Sequence, residues 1–113
     1  MPDNTLKMLE NIMDVASFRN KILTSNIANA DTPGYKAKDI SFQSELDKSV
    51  AESTRSYTVF ETVPTMINRD GNTVSIDSEM TKVAENQLLY NSAAQLLSMK
   101  FRMMKDVAKS GGQ

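Results

Sequence analysis

From Leu6 to Ala30 the apolar positions recur in alternating steps of three and four residues: Leu6, Leu9, Met13, Ala16, Leu23, Ile27 and Ala30, with Asn20 filling one slot. A second row, Met8, Ile12, Val15 and Ile22, widens the stripe on an adjacent face. Such spacing gathers apolar side chains on one side of a helix and suits coiled-coil-like packing. It predicts a helix from about Leu6 to Asn29, with Asp3 or Asn4 as N-cap. The far end of the chain repeats the theme. Met80, Val83, Gln87, Tyr90, Ala94, Leu97, Phe101, Met104 and Ala108 keep a heptad step, and Leu89, Ala93, Leu96, Met103 and Val107 lie on the neighbouring row. A helix from Ser78 to Lys109 would be about 48 Å long at about 1.5 Å per residue. Asp77 is the expected N-cap and Glu79 suits the positive helix end, while Lys100, Arg102, Lys105 and Lys109 complement the negative end. Ser110-Gly111-Gly112-Gln113 terminates the pattern.

Between the two helices the pattern breaks. Pro33 cannot continue a helical ladder and disfavours helical geometry at Thr32. Thr32-Pro33-Gly34-Tyr35 fits a type II turn, with proline second and glycine, at positive φ, third. Asn29 and Asp31 are placed to use their side chains on free backbone groups at this exit. Phe42, Leu46 and Val50 recur every four residues, which predicts a short helix over Ser41 to Val50, followed by a polar linker from Ala51 to Ser56. Tyr57 to Val63 is β-branched and aromatic and stops at Pro64. Thr65 to Asn68 is a candidate second strand. Asp70-Gly71-Asn72 is a strong turn signal, and Thr73 to Ile76 alternates like a returning strand. The expected fold is therefore mainly α: long N- and C-terminal helices pair as a coiled-coil-like hairpin around a short polar middle containing a small β-hairpin. Its parts are residues 1–35, 36–76 and 77–113, forming one structural unit.

Composition narrows the function. The 113 residues carry 13 basic and 14 acidic side chains, a net charge of −1, with no basic stripe to track nucleic acid. Histidine and cysteine are both absent. That removes the usual zinc constellations, thiol nucleophiles, disulfides and a histidine general base. Asp39, Asp70 and Asp77 are available carboxylates, yet each has an easy role as a solvated or capping residue. No phosphate loop or metal-ligand spacing occurs, so the sequence supports neither catalysis, nor a cofactor, nor a small-molecule substrate. The N-terminus lacks a basic segment followed by an apolar one, as a cleavable secretion signal requires. No window approaches about 18 consecutive apolar residues, as a membrane-spanning helix requires.

Two long helices with wide apolar stripes have little intervening core to cover them. A hairpin of the two leaves part of each stripe in water, and burying it is worth about 25 cal/mol per Å2. Neighbouring subunits would supply the cover, with the termini ordering as they bind. The competing expectation is a self-contained monomeric hairpin.

The strings themselves then become informative. Ser25-Asn26-Ile27-Ala28-Asn29-Ala30-Asp31-Thr32-Pro33-Gly34-Tyr35-Lys36 resembles the N-terminal signature of flagellar rod and hook axial proteins. Glu79 to Tyr90, with its Glu-Asn-Gln-x-x-Tyr run, resembles the C-terminal helix of the same family, and Asp70-Gly71-Asn72 before it is similar too. Ser25 stands where relatives often carry Ala or Asn. The segment from Asp47 to Met66 carries no family motif. The resemblance implies a structural subunit of the proximal rod of the basal body, crossing the periplasm and exported by the flagellar type III apparatus without a cleavable signal. It implies as neighbours other rod subunits, including the FlgC and FlgF types, the FliE adaptor, the export gate and membrane ring, and further copies of the chain. Asn26, Asn29, Asp31, Pro33, Gly34 and Tyr35 are the expected assembly turn. Ile27, Leu88, Tyr90, Leu97 and Phe101 are the expected helix-packing seam. The alternative class is a soluble helical interaction module, such as a secretion chaperone or coiled-coil regulator, which leaves the Asn-Pro-Gly string without a purpose.

Overall fold

The computed structural model describes residues 4–51, 56–64 and 66–111. Its elements are α1 (Thr5–Ala28), β1 (Lys38–Ile40), α2 (Phe42–Ala51), β2 (Val59–Glu61) and α3 (Ile76–Gly111). The fold is the mainly helical one expected, and both terminal helices fall within two residues of their predicted bounds at each end. They run antiparallel, because Asn26 meets Glu79 while Ala16, ten residues earlier, meets Asn86. The body measures 70 × 26 × 17 Å with a radius of gyration of 18.4 Å. A compact chain of this length would have about 13 Å. The molecule is a rod in miniature.

Its apolar core is thin. Leu9, Val15, Ala16 and Leu23 of α1 are buried with Ala93 of α3, and Ala37, Ile40 and Val74 join them from the connecting segments. α3 lies against α1, and α1 also carries α2 and β1. Phe18 of α1 stacks on Tyr57 with ring centroids 4.0 Å apart, which pins the chain leading to β2. On α2, buried Glu45 accepts a hydrogen bond from the Thr58 backbone N–H at 2.9 Å and pairs with Lys48 at 2.9 Å. Lys48 in turn donates to Ser56 O and Thr58 Oγ1, both at 3.1 Å. These contacts return the chain to α1 after α2.

Three local expectations are corrected. β2 falls inside the predicted Tyr57–Val63 strand, but its partner is β1, paired antiparallel as Lys38↔Glu61, Asp39↔Phe60 and Ile40↔Val59. The segment after Asp70-Gly71-Asn72 does not return along β2. Thr73 instead donates its N–H to Tyr35 O at 3.0 Å, so its backbone is claimed by the turn after α1. The N-cap of α3 is Ser75 rather than Asp77, which lies in the first turn; Glu79 N–H bonds to Ser75 O at 2.9 Å and Ser78 N–H to Ser75 Oγ at 3.4 Å. Asn4 precedes α1 without a side-chain cap bond. Met66 to Asn68 of the candidate second strand form no strand, and the alternative cap Asp3, residues 52–55 of the predicted linker, Thr65, Gly112 and Gln113 lie outside the described residues.

Candidate functional site

The α1 exit is a clasp built on asparagines. The predicted turn is present: Tyr35 N–H bonds to Thr32 O at 3.2 Å with Gly34 at φ 74°, which a type II turn requires. Asn26, in the last turn of α1, is completely buried. Its Nδ2 donates to Lys38 O at 2.7 Å and to Glu79 Oε2 at 2.9 Å. Its Oδ1 accepts from Lys38 N–H at 3.0 Å and from Tyr35 Oη at 3.2 Å. Two donors and two acceptors are the full capacity of an amide side chain, and all four are used. One residue therefore ties together α1, the chain entering β1, the turn tyrosine and α3. Asn29 is the C-cap of α1. Its Nδ2 donates to Ser25 O at 2.8 Å and its Oδ1 accepts from Thr32 Oγ1 at 3.0 Å. Asp31, Pro33 and Gly34 are exposed on the outside of the turn.

A second asparagine completes the clasp from the other side. Asn72, 1% exposed, donates through Nδ2 to Asn29 O at 2.9 Å and Thr32 O at 2.8 Å, and its Oδ1 accepts from Val74 N–H at 2.7 Å. A helix end leaves carbonyls without intrahelical partners, and Asn72 takes up one of these and one from the following turn. Gly34 N–H donates to Asp70 O at 2.9 Å, Ala37 N–H to Thr73 Oγ1 at 2.9 Å, and Lys36 Nζ to Gly71 O. Gly71 lies against the turn, where a Cβ would make an ordinary contact with the Gly34 Cα at 3.7 Å, so it is the φ of 82° rather than space that calls for glycine. The sequence marked Asp70-Gly71-Asn72 as a turn but did not reveal that Asn72 reaches back 40 residues.

Charge closes the same junction. Arg19 of α1 holds Asp39 of β1 in a two-pronged contact at 2.9 and 3.0 Å, and Asp39 Oδ1 also accepts from Ile40 N–H at 2.7 Å. Lys82 of α3 lies 3.9 Å from Asp39 and 3.5 Å from Glu79. The hydrogen bond to Asp39 raises the Arg19 pKa above its ordinary value against the opposing effect of burial. Glu79 is 2% exposed, so its charge is sustained by Asn26 and Lys82 rather than by water. The sequence reading gave Glu79 a part at the helix end and missed its burial. Its one legible signal is the seven-residue step Glu79–Asn86–Ala93, whose three members are the buried residues of α3. Asn86 Nδ2 donates to Ala16 O at 2.8 Å, while its Oδ1 has no hydrogen-bond partner among the described residues.

The expected seam residues divide between faces of the hairpin. Tyr90 and Leu97 are half-buried, in line with Glu79, Asn86 and Ala93 on the side of α3 that meets α1, and Ile27 is half-buried near the end of α1. Leu88 is exposed on another side. It belongs to a strip with Leu89, Leu96, Met99, Met103 and Val107, all exposed. At about 100° per residue this strip starts at the flank of the α1-facing row, with Leu89 and Val107 about 40° from Ala93, and winds round to Leu88 on the far side, about 140° from it. Phe101 opens the final stretch of α3, where every residue through Gly111 is exposed. α1 has 24 residues and α3 has 36, so α3 continues past its partner as an uncovered helix bearing Phe101, Met103, Met104 and Val107.

Among the described residues no His, Cys, Asp and Glu cluster gathers to hold a metal ion, and no helix is long and apolar enough to cross a membrane. The geometry is that of a joint and two packing faces. Residues 15–36, which contain the clasp's first half, match the sequence profile of the family described as Flagella basal body rod protein. The chain is 34% identical to the flagellar basal body rod protein FlgB of Bacillus subtilis over 95% of each chain. It is 34% identical to FlgB of Escherichia coli and 33% to FlgB of Salmonella typhimurium, over 96% of each chain in both cases. This hairpin, with its asparagine clasp and uncovered terminal helix, therefore belongs to the FlgB family of flagellar basal body rod proteins and is a structural subunit of the rod.

Proposed function

We propose that the subunit builds the proximal part of the rod by sharing the outer strip and free end of α3 with neighbouring chains. The observation that supports this most directly is the exposed apolar face of a helix already packed on its other side. Leu88 is 68% and Leu96 53% exposed, although side chains of this kind gain about 25 cal/mol per Å2 on burial. Successive copies joined through unlike surfaces generate an open helical array when the rotation does not close. A shaft made this way transmits torque because its stiffness comes from shared side-chain packing, and its work is mechanical rather than catalytic. The neighbours that fit are further copies, rod subunits of the FlgC and FlgF types, and the FliE adaptor at the membrane ring and export gate, reached through the flagellar type III apparatus.

Within this reading the clasp sets the angle at which the middle segment leaves the helical pair. Tyr90, Leu97 and Ile27 hold the hairpin, whereas Leu88 and Phe101 face neighbours. The test is incorporation. Phe101→Asp places a charge where an apolar contact would form. Because Phe101 is half exposed, the isolated chain should keep its helix content. Basal bodies isolated from cells carrying the variant are expected to lack the subunit. Normal incorporation would remove the free end of α3 from the contact.

A further inference from the structure

The loop that completes the clasp carries a reactive bond. Of the four glycines in the chain, only Gly71 follows an aspartate or asparagine, Asp70. Aspartate before glycine is the pairing most open to imide formation, because a residue without a Cβ leaves its amide nitrogen unhindered. The Gly71 nitrogen attacks Asp70 Cγ, and the carboxyl hydroxyl and the amide proton leave together as water. The five-membered imide then takes water back. Opening at Cγ restores aspartate. Opening at the former main-chain carbonyl routes the backbone through Cβ and leaves a free α-carboxylate. This product, isoaspartate, has the mass of the original and one more atom in its backbone.

The clasp holds every group that the chemistry needs. The Gly71 N–H, whose proton must leave, donates to Asn68 O at 2.9 Å. Asp70 is exposed to water, yet its Oδ1 accepts from Asn72 N–H at 3.0 Å. Asp70 O, on the carbonyl where the imide opens to isoaspartate, accepts from Gly34 N–H at 2.9 Å. Asn68 N–H closes the loop on Asn72 O at 2.9 Å, and the buried Asn72 anchors it to Asn29 O and Thr32 O. The products do not fit this arrangement. An imide nitrogen bears no hydrogen, so ring closure breaks the bond to Asn68. Isoaspartate moves Asp70 O off the main chain and lengthens the segment between Gly34's partner and Asn72.

We infer that Asp70–Gly71 is a modification site, an isoaspartate-forming bond that the closed clasp keeps silent and whose conversion prevents the clasp from closing again. Reaction proceeds through the open loop, so its rate follows the fraction of time that the loop is open. A subunit that stays closed keeps its joint, and one held open accumulates a form that has lost it. The inference does not depend on the rod reading: one is decided by the covalent state of the purified chain, the other by basal-body composition.

The full chain is incubated at neutral pH in buffer and in concentrated urea, then cleaved after lysine, which releases residues 49–82 as one peptide. Isoaspartate separates from aspartate by chromatography at unchanged mass, and electron-transfer fragmentation assigns it to position 70. Conversion in urea should run about ten-fold faster than in buffer, or more. Asn72→Ala removes the anchor but neither reacting group, and should bring the rate in buffer towards that in urea. Asp70→Asn remains informative if Asn72→Ala fails to fold: it keeps an acceptor for Asn72 N–H, forms the same imide by losing ammonia, and should show the same protection in buffer, read by its change in mass. Chains aged in urea and returned to buffer should unfold at a lower urea concentration as their isoaspartate content rises. Equal rates in buffer and urea would overturn the inference, as would the absence of isoaspartate in urea or aged chains with an unchanged unfolding midpoint.

Discussion

Asn26 donates its side-chain amide to the carboxylate of Glu79, 53 residues away in the chain, at 2.9 Å inside the protein. The bond joins the last turn of the first helix to the first turn of the last, and neither group has water to fall back on. A carboxylate buried this deeply is tolerated only while its partners remain, because a lone buried charge costs several kcal/mol. The two terminal helices are thus held at their closed end by one hydrogen-bonded junction, while the other end of α3 runs free.

Asn26→Asp keeps the shape and removes both donors. It sets a second carboxylate beside Glu79 and turns two acceptors, Lys38 O and Glu79 Oε2, into orphans. We expect a loss of about 3 kcal/mol or more in urea unfolding, judged from the cost of breaking buried charged hydrogen bonds. A loss under about 1 kcal/mol would mean that the junction is wetter than the geometry indicates.

Asn86→Leu should act in the opposite direction. Asn86 has one bond, to a helix carbonyl, and an amide oxygen with no partner among the described residues, so an apolar side chain of similar size removes an unmet polar atom. A gain of about 1 kcal/mol is expected in denaturant unfolding. The cost should appear as looser register between α1 and α3, because buried amides on helix seams fix alignment. Amide hydrogen exchange along α1 would report it.

Gly34→Val and Gly34→Ala separate conformation from space. A Cβ at Gly34 meets nothing within 4 Å, so any penalty comes from holding φ at 74°. Alanine should cost about 1 kcal/mol and valine about 2, since a β-branched residue resists the left-handed region more. Assembly should suffer more than the stability of the isolated chain, and normal motility of a Gly34→Val strain would count against the turn as an assembly element.

Stability should be nearly flat from about pH 6 to about pH 8.5, because histidine and cysteine, the side chains that ordinarily titrate there, are absent. Arg19 reinforces this. Its pKa is raised by Asp39, so its contribution is complete below the unfolded value and is lost only as pH climbs through the folded one, in strong alkali. A melting temperature that falls sharply between neutral and mildly alkaline pH would contradict this account of the charge junction.

Much of this molecule is legible in the order of its residues. The three-and-four periodicity fixed both long helices, Phe42 and Leu46 announced α2, and Pro33-Gly34 announced the turn, because each of these is decided within a few residues by backbone geometry. The Asn-rich string also pointed to the family before any contact was known. Other features were not local. β2 had the composition of a strand, but composition does not choose a partner, and β1 won because Thr73 was already committed to the turn after α1. Glu79 and Asn86 looked like ordinary surface residues of a helix. Only the packed structure made them interior, by supplying Asn26, Lys82 and Ala16 O from elements far away in the chain. Periodicity likewise announced a wide stripe on α3 but not which part of it α1 would cover. That allocation depends on the lengths and crossing of two helices brought together by the clasp, and burial is a property of neighbours rather than of the sequence that carries it.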